Sequence, residues 1–206
     1  MFDLLFQQYS DYQTLDISLE IIAVVFGILS VWFSKKNNIL VYPTGMISTS
    51  IFTYLLFKWS LLGDMMINAY YFMMSIYGWY IWTRKVNNIV TPISKVSSPE
   101  KITSLIIFFF SLSFVYGIYN YFDKWGSYTS YIDNFTTAIF FVAMWLMANR
   151  KIESWIFWII GNIISIPLYF YKGLTFTSIQ YIIFTVIAIS GYYTWKKILD
   201  NSNQTA

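Results

Sequence analysis

Seven long apolar stretches constrain what this chain can fold into more than any other feature. They lie at approximately residues 17–34, 39–57, 61–83, 102–122, 132–148, 155–171 and 174–195. A membrane-spanning helix needs ~20 mostly apolar residues, with ~17 as a practical minimum. Lipid offers no hydrogen-bond partner to a peptide group, and none of the stretches alternates as a barrel strand would. The sequence therefore predicts an all-α integral membrane protein with seven transmembrane helices, embedded in a lipid bilayer.

The composition excludes most enzyme chemistries. The chain is 57% hydrophobic and 11% charged, which is outside the usual range for a soluble domain. It contains no cysteine and no histidine, so thiolate or imidazole metal sites and cysteine or serine–histidine nucleophiles are excluded. We therefore predict that the chain is not an enzyme and has no cofactor and no metal site.

The distribution of lysine and arginine predicts the orientation in the membrane. With the N-terminus outside, three basic residues face outward: Lys58, Lys124 and Lys172. The other ten face the cytoplasm: Lys35, Lys36, Arg84, Lys85, Lys95, Lys101, Arg150, Lys151, Lys196 and Lys197. The positive-inside rule thus predicts a multi-pass protein of the cell inner (plasma) membrane with a cytoplasmic C-terminus. Because orientation explains the basic residues, we expect no nucleic-acid partner.

An internal repeat divides the chain into two similar units. A shift of 113 residues superimposes Gly78 on Gly191 and Trp82 on Trp195, and it also aligns acidic residues near the unit starts. Two like-oriented units of three helices need one extra crossing between them. The prediction is a 3+1+3 layout with two parallel three-helix repeats, a SWEET-like plan in which the substrate lies between the halves.

The predicted domain boundaries follow from this repeat and from the polar connectors. The prolines and serines of the longest connector favour a loop. The segments are an extracytoplasmic leader (1–16), the first repeat (17–83), a cytoplasmic linker (84–101), the inversion helix with an outer loop (102–131), the second repeat (132–197) and a cytoplasmic tail (198–206).

Amides placed deep in three of the predicted helices are candidates for substrate binding, because polar groups in a bilayer are costly. Each shares a helix face with aromatic side chains, and we expect the three faces to meet at one cavity. Aromatic faces bind a flat cation, and amides pair with carboxamides or hydroxyls. The predicted substrate-binding residues are Trp155, Trp158 and Asn162; Asp64, Asn68 and Tyr71; and Gln180, Tyr181 and Phe184.

Other interpretations of the same residues stay open. Tryptophans near helix ends also fit an interfacial aromatic belt, a description that covers Trp155 and equally Trp59, Trp82, Trp125 and Trp195. Buried amides can simply hold helices together. A structural membrane subunit without transport activity is therefore an alternative, and a homo-oligomer is compatible with either.

Two further features bear on mechanism. Pro167 lies inside the sixth predicted helix, where it removes a backbone hydrogen bond, and is our hinge candidate. The carboxylates lie in loops or near helix ends, whereas ion-coupled transport normally needs ionisable groups at depth. Transport without ion coupling is the simpler expectation.

Three segments resemble the PnuC-type vitamin transporters: "NNILVYPTG", "GDMMINAYYFMMSIYGWYIW" and the chain from residue 149 to Trp195. The W-x-x-W-x-x-x-N pattern of Trp155, Trp158 and Asn162 is the most specific part. The resemblance implies facilitated diffusion of nicotinamide riboside into the cell, followed by trapping through a separate cytoplasmic kinase. Related transporters carry thiamine or riboflavin, and Tyr42 stands where many members have tryptophan, so these vitamins stay open as alternatives.

Overall fold

The structure is a computed structural model that describes residues 14–58, 62–86, 89–123, 125–126, 128–171 and 175–204. Within these residues the prediction of an all-α chain of seven helices is confirmed. The helices are α1 (Thr14–Lys35), α2 (Val41–Lys58), α3 (Leu62–Thr83), α4 (Ser98–Tyr121), α5 (Tyr128–Ala148), α6 (Ser154–Tyr171) and α7 (Thr175–Gln204). The predicted leader lies largely outside the described part of the chain.

Four helices, α1, α4, α5 and α6, are long and apolar enough to cross a membrane by length and composition. The outer face of α4 shows what such a surface looks like, since Ile102, Ile106 and Phe110 are each more than 60% exposed. Large apolar side chains left uncovered over a whole helix face are expected where lipid replaces water.

Several helices extend beyond the predicted apolar stretches. The helix α4 begins at Ser98, inside the segment predicted as linker, because Pro99 suits a first turn and the Glu100 carboxylate accepts a hydrogen bond from the Ser97 amide at 2.8 Å. The helix α7 continues to Gln204, through the predicted tail. Hydropathy identifies only the part of a helix that lipid can cover. Polar residues beyond that part continue the same pattern of main-chain hydrogen bonds, so the helix is longer than its apolar stretch.

The linker departs from the predicted loop. Its first part is an antiparallel hairpin of two short strands, β1 (Lys85–Val86) and β2 (Ile89–Val90). Its second part, residues 91–97, runs beside residues 149–153 between α5 and α6. Ser94 exchanges backbone hydrogen bonds with that loop, donating to Arg150 and accepting from Ile152, both at 3.1 Å. Ile93 is buried there, so apolar burial and main-chain pairing hold the segment in place.

Charged side chains strengthen this linker–loop contact (residues 91–97 with 149–153). The Arg150 guanidinium lies 4.2 Å from the ring centre of Trp82 and donates to the Thr91 carbonyl. Lys151 forms an ion pair with Glu100 at 2.8 Å. Burial lowers the pKa of the Arg150 guanidinium, but arginine remains protonated at physiological pH. The linker is thus attached both to the end of α3 and to the loop before α6.

The helices pack as two groups with one helix at the side. The first group has α1 against α2 and α2 against α3, and the second has α5 against α6 and α6 against α7. Between the groups, α1 contacts α7 and α3 contacts α5, while α4 packs mainly on α5. On the shift of 113 residues, α1 corresponds to α5 and α3 to α7. The contact of α1 with α7 therefore corresponds, under that shift, to the contact of α5 with α3.

Four aromatic side chains close the interior near the linker. Tyr42 meets Trp82 edge-on with ring centres 5.1 Å apart, Trp82 lies 5.8 Å from Trp195, and Trp195 lies 5.6 Å from Trp155. We refer to these four residues as the four-ring cluster. All are at most 2% exposed, so the interfacial-belt interpretation is wrong for Trp82, Trp155 and Trp195. Neighbouring helices cover them.

Two glycines make room for the four-ring cluster. A methyl group at Gly78 would lie 2.3 Å from the Tyr42 ring, and one at Gly191 would lie 2.7 Å from the Trp155 ring. These two glycines superimpose under the repeat, as do Tyr42 and Trp155. Of the other tryptophans assigned to a belt, Trp125 is half-buried and Trp59 lies outside the described residues.

Candidate substrate-binding cavity

A central cavity of about 270 Å³ lies between the two helix groups. Small-molecule sites are typically ~300–1,000 Å³, so it is close to the size that one small ligand needs. Its described lining comes from α1, α2 and α3 on one side and α5, α6 and α7 on the other, with no residue from α4. The cavity ends at the four-ring cluster, of which Tyr42 and Trp155 belong to its wall.

The structure brings the predicted site residues to this one cavity. Those that line it are Trp155, Trp158, Asn162, Asn68, Tyr71, Gln180, Tyr181 and Phe184. The side chain of Asp64 lies outside the described part of the structure. Pro167 lies inside α6, away from the cavity wall. The three predicted helix faces therefore converge, and binding of a ligand by these residues stays a prediction.

Sequence reasoning missed the contributions of α1, α2 and α5. On α1 and α2 many of the missed residues are small, or carry a hydroxyl group that donates a hydrogen bond to a main-chain carbonyl. Ser30 donates to the Val41 carbonyl at 2.7 Å, and Ser48 donates to the Ala23 carbonyl at 2.8 Å. Such residues hold α1 against α2 and leave space beside them. Their composition alone does not distinguish them from ordinary packing positions between helices.

The repeat could have found many of these positions. Nine pairs of lining residues are separated by the 113-residue shift. They are Gly27 and Phe140, Val31 and Met144, Ser34 and Met147, Tyr42 and Trp155, Gly45 and Trp158, Thr49 and Asn162, Asn68 and Tyr181, Tyr71 and Phe184, and Ser75 and Ala188. Asn37 and Arg150, also one shift apart, both have a φ above 50°.

The two sides of the cavity differ in bulk at equivalent positions. Glycine at 27 and 45 corresponds to Phe140 and Trp158. The Phe140 ring stacks on Trp158 with centres 5.4 Å apart and on Tyr181 with centres 6.1 Å apart. We refer to Phe140, Trp158 and Tyr181 as the aromatic wall. The first helix group therefore leaves space, and the second presents π-surface to it.

The described lining is uncharged, with no Asp, Glu, Lys or Arg side chain. Asn162 is 3% exposed, and it belongs to the cavity lining. A neutral cavity with aromatic faces can hold an organic cation through the ring quadrupoles. A phosphate dianion would lose its hydration there without gaining a cationic partner. The lining therefore suits a flat, cationic or neutral solute with amide and hydroxyl groups.

Apolar helices that enclose an uncharged cavity with aromatic walls and a few amide groups fit the class of membrane carriers for small organic solutes. Comparison with known sequences identifies the family. The chain belongs to the nicotinamide mononucleotide transporter family, whose model matches residues 17–197.

Individual relatives agree with this assignment. The nicotinamide riboside transporter PnuC of Escherichia coli (strain K12) is 23% identical over 201 residues, covering 86% of this chain and 84% of PnuC. The riboflavin/roseoflavin transporter RibM of Streptomyces davaonensis is 22% identical over 186 residues, covering 85% of this chain and 83% of RibM. A crystal structure of the vitamin B3 transporter PnuC is similar with a TM-score of 0.68 at 25% identity, covering 97% of this chain and 89% of that one.

Proposed function

We propose that this protein carries nicotinamide riboside across the cell inner (plasma) membrane by facilitated diffusion, with its N-terminus outside and its C-terminus in the cytoplasm. A separate cytoplasmic kinase then phosphorylates the transported riboside, which prevents its return. The observation that supports this most is the uncharged cavity lined by the aromatic wall and by the amide of Asn162. PnuC relatives and the family match support the same substrate class.

The chemistry of the cavity favours the riboside over the mononucleotide. The pyridinium ring of nicotinamide riboside is flat and cationic, which matches the aromatic wall. Its carboxamide can form paired hydrogen bonds with the Asn162 amide, and its ribose hydroxyls can use other polar groups of the lining. The mononucleotide adds a phosphate, and the described lining offers no lysine or arginine to neutralise it.

The proposed mechanism is alternating access, in which α1–α3 and α5–α7 rock against each other as parallel repeats. The equivalent contacts of α1 with α7 and of α3 with α5 support a two-fold relationship between the groups. The nine offset pairs in the cavity lining support it further. The helix α4 contributes nothing to the described lining, as expected of a helix that only restores the chain direction between two like-oriented repeats.

Purified protein in vesicles tests the transport proposal. With the membrane potential held at zero, labelled nicotinamide riboside should enter until its concentrations inside and outside are equal, and should accumulate further only when a nicotinamide riboside kinase and ATP are enclosed. Nicotinamide mononucleotide should compete poorly. Accumulation above equilibrium that depends on a proton or sodium gradient at zero membrane potential, without the kinase, would contradict facilitated diffusion.

Pro167 is the proposed hinge within α6. Proline has no amide hydrogen, so the Ile163 carbonyl one turn earlier lacks its helical partner and the helix can bend there. A Pro167→Ala variant should bind substrate with unchanged affinity but transport it several-fold more slowly. Pro99→Ala is the control, because Pro99 occupies a first turn where no helical hydrogen bond is lost. Equal initial uptake rates for both variants and the wild type would remove Pro167 from this role.

Two alternatives are separated by binding measurements with a vitamin panel. The similarity to RibM favours riboflavin as the next candidate substrate, and thiamine belongs in the same panel. A dominant response to either vitamin would replace nicotinamide riboside as the substrate. A structural membrane subunit would show no change in its unfolding temperature with any of these vitamins.

A further inference from the structure

The Phe140 ring occupies space beside the two other rings of the aromatic wall. It stacks on Trp158 with an angle of 29° between the ring planes and on Tyr181 with an angle of 9°. All three side chains line the cavity, and Phe140 is 8% exposed. Removing the Phe140 ring would therefore leave empty space next to Trp158 and Tyr181 and enlarge the cavity there.

A glycine on α6 makes room for the Phe140 ring. A methyl group at Gly161 would lie 2.3 Å from that ring, so the ring packs directly against the α6 backbone. Gly161 itself is buried and does not belong to the described lining. Because a close-packed backbone does not yield, the ring cannot move toward α6 when a larger ligand enters the cavity.

The equivalent contact in the first repeat has no aromatic side chain. The 113-residue shift superimposes Gly27 on Phe140, and it superimposes Ser48 on Gly161. A methyl group at Gly27 would lie 3.1 Å from the Ser48 hydroxyl oxygen, so a small side chain fills this contact. Two helices of this repeat can thus pack together without a ring at the position of Phe140. Helix packing alone does not explain the ring, and its place in the cavity lining suggests a role in ligand selection.

The size of the cavity makes ligand selection sensitive to the Phe140 ring. The cavity measures about 270 Å³, near the lower end of the ~300–1,000 Å³ that is usual for small-molecule sites. The aromatic wall is the part of it that should bind the flat ring of the solute. In an apolar pocket a difference of one methylene group already changes the discrimination between two ligands by ~10–200-fold. A second fused ring on the solute is a much larger difference.

We propose that Phe140 is a specificity-determining residue whose ring, held in place by Gly161, restricts transport to ribosides with a single aromatic ring. The proposal rests on the proposed function, because it concerns the substrate range of the same cavity. The class of ligand that the cavity admits is the riboside of a monocyclic pyridinium. The class that it rejects is the riboside of a fused bicyclic cation.

Titration calorimetry with fused-ring ribosides tests the proposal. Two analogues of nicotinamide riboside, a quinolinium and an isoquinolinium, keep the positive charge, the carboxamide and the ribose but add a benzene ring. The wild type should bind both at least roughly tenfold more weakly than nicotinamide riboside. Phe140→Ala should bind nicotinamide riboside more weakly, because a stacking surface is lost, and should bind at least one analogue more tightly than the wild type does.

The ratio of the two affinities is the decisive quantity. Phe140→Ala should shift it toward a fused-ring analogue by roughly tenfold or more. Phe140→Leu removes less of the packing and should shift the ratio in the same direction by a smaller factor. The second variant keeps the test informative if Phe140→Ala does not fold, because large-to-small substitutions in a packed interior are destabilising.

Phe141→Ala is the matched control. Phe141 is the next residue along α5 and is also buried, but it does not belong to the described lining. Its ring stacks on Tyr70 of α3, with ring centres 3.9 Å apart. The variant should lose stability as Phe140→Ala does, yet keep the affinity ratio of the wild type.

Three results would overturn the proposal while the proposed function stands. The wild type could bind a fused-ring analogue as tightly as nicotinamide riboside, both Phe140 variants could keep the wild-type ratio, or Phe141→Ala could change the ratio as much as Phe140→Ala. Failure of the wild type to bind nicotinamide riboside would overturn both.

Discussion

Asn162→Ala is expected to weaken nicotinamide riboside binding about 100-fold and to abolish measurable uptake at low substrate concentration. The Asn162 amide is buried in the protein and lines the cavity, so it is placed to meet the ligand. Its loss would leave a carboxamide donor and a carboxamide acceptor unpaired in a dry cavity, which costs ~3 kcal/mol. The ligand-induced rise in unfolding temperature should disappear in the variant.

Asn134→Ala provides the comparison for this prediction. Asn134 is also a buried amide, but it donates to the Leu112 carbonyl at 3.3 Å and so connects α5 to α4, away from the cavity. This variant should lose stability and keep the ligand response, whereas Asn162→Ala should keep its ligand-free stability. If the two variants behave alike, the amide of Asn162 only holds helices together.

Gly78→Ala and Gly191→Ala should each lower the free energy of unfolding by ~1–3 kcal/mol, the usual cost of overfilling a packed interior. The added methyl groups would lie 2.3 Å from the Tyr42 ring and 2.7 Å from the Trp155 ring. Since both rings line the cavity, their displacement should also reduce its volume and slow uptake strongly. Chemical denaturation and initial uptake rates measure the two effects.

Gly117→Ala is the control for both glycine variants, because nothing lies within 4 Å of a methyl group at that position in α4. Alanine is the better helix former there, so stability should stay the same or rise by up to ~1 kcal/mol. The close approach of Gly78 and Gly191 to the rings would be contradicted if all three variants gained stability.

Hydropathy predicted the seven helices because a segment that spans a membrane must be long and apolar. Hydropathy could not predict where α4 begins or where α7 ends, since Ser98 and Gln204 belong to helical turns that need no lipid. The packing of the linker could not be predicted from the sequence for a different reason. Its position depends on contacts between Ser94 and residues more than 50 positions later, and no local pattern reports such pairing.

Site residues could be predicted from the sequence where their residue type is rare in a membrane helix, and could not be predicted where their residue type is common. An amide such as Asn162 between tryptophans is unusual in a bilayer helix and points to a cavity. The space beside Gly27 and Gly45 has no such signature. Tryptophans near helix ends look alike in sequence, and only the packing of neighbouring helices distinguishes the buried Trp82 from a residue at the lipid interface.

The linker–loop contact has a consequence for the proposed carrier. Arg150 and Lys151 fasten the loop before α6 to Trp82 of α3 and to Glu100 of α4, so we expect an opening of the cavity at the four-ring cluster to disturb both contacts. At the opposite end, the ion pair of Lys58 with Asp16, at 2.7 Å, joins α1 to α2 within a single repeat. In the proposed carrier, breaking contacts of these two kinds would set the speeds of the influx and efflux steps, while the final distribution of an uncoupled cation follows its electrochemical gradient and not these barriers.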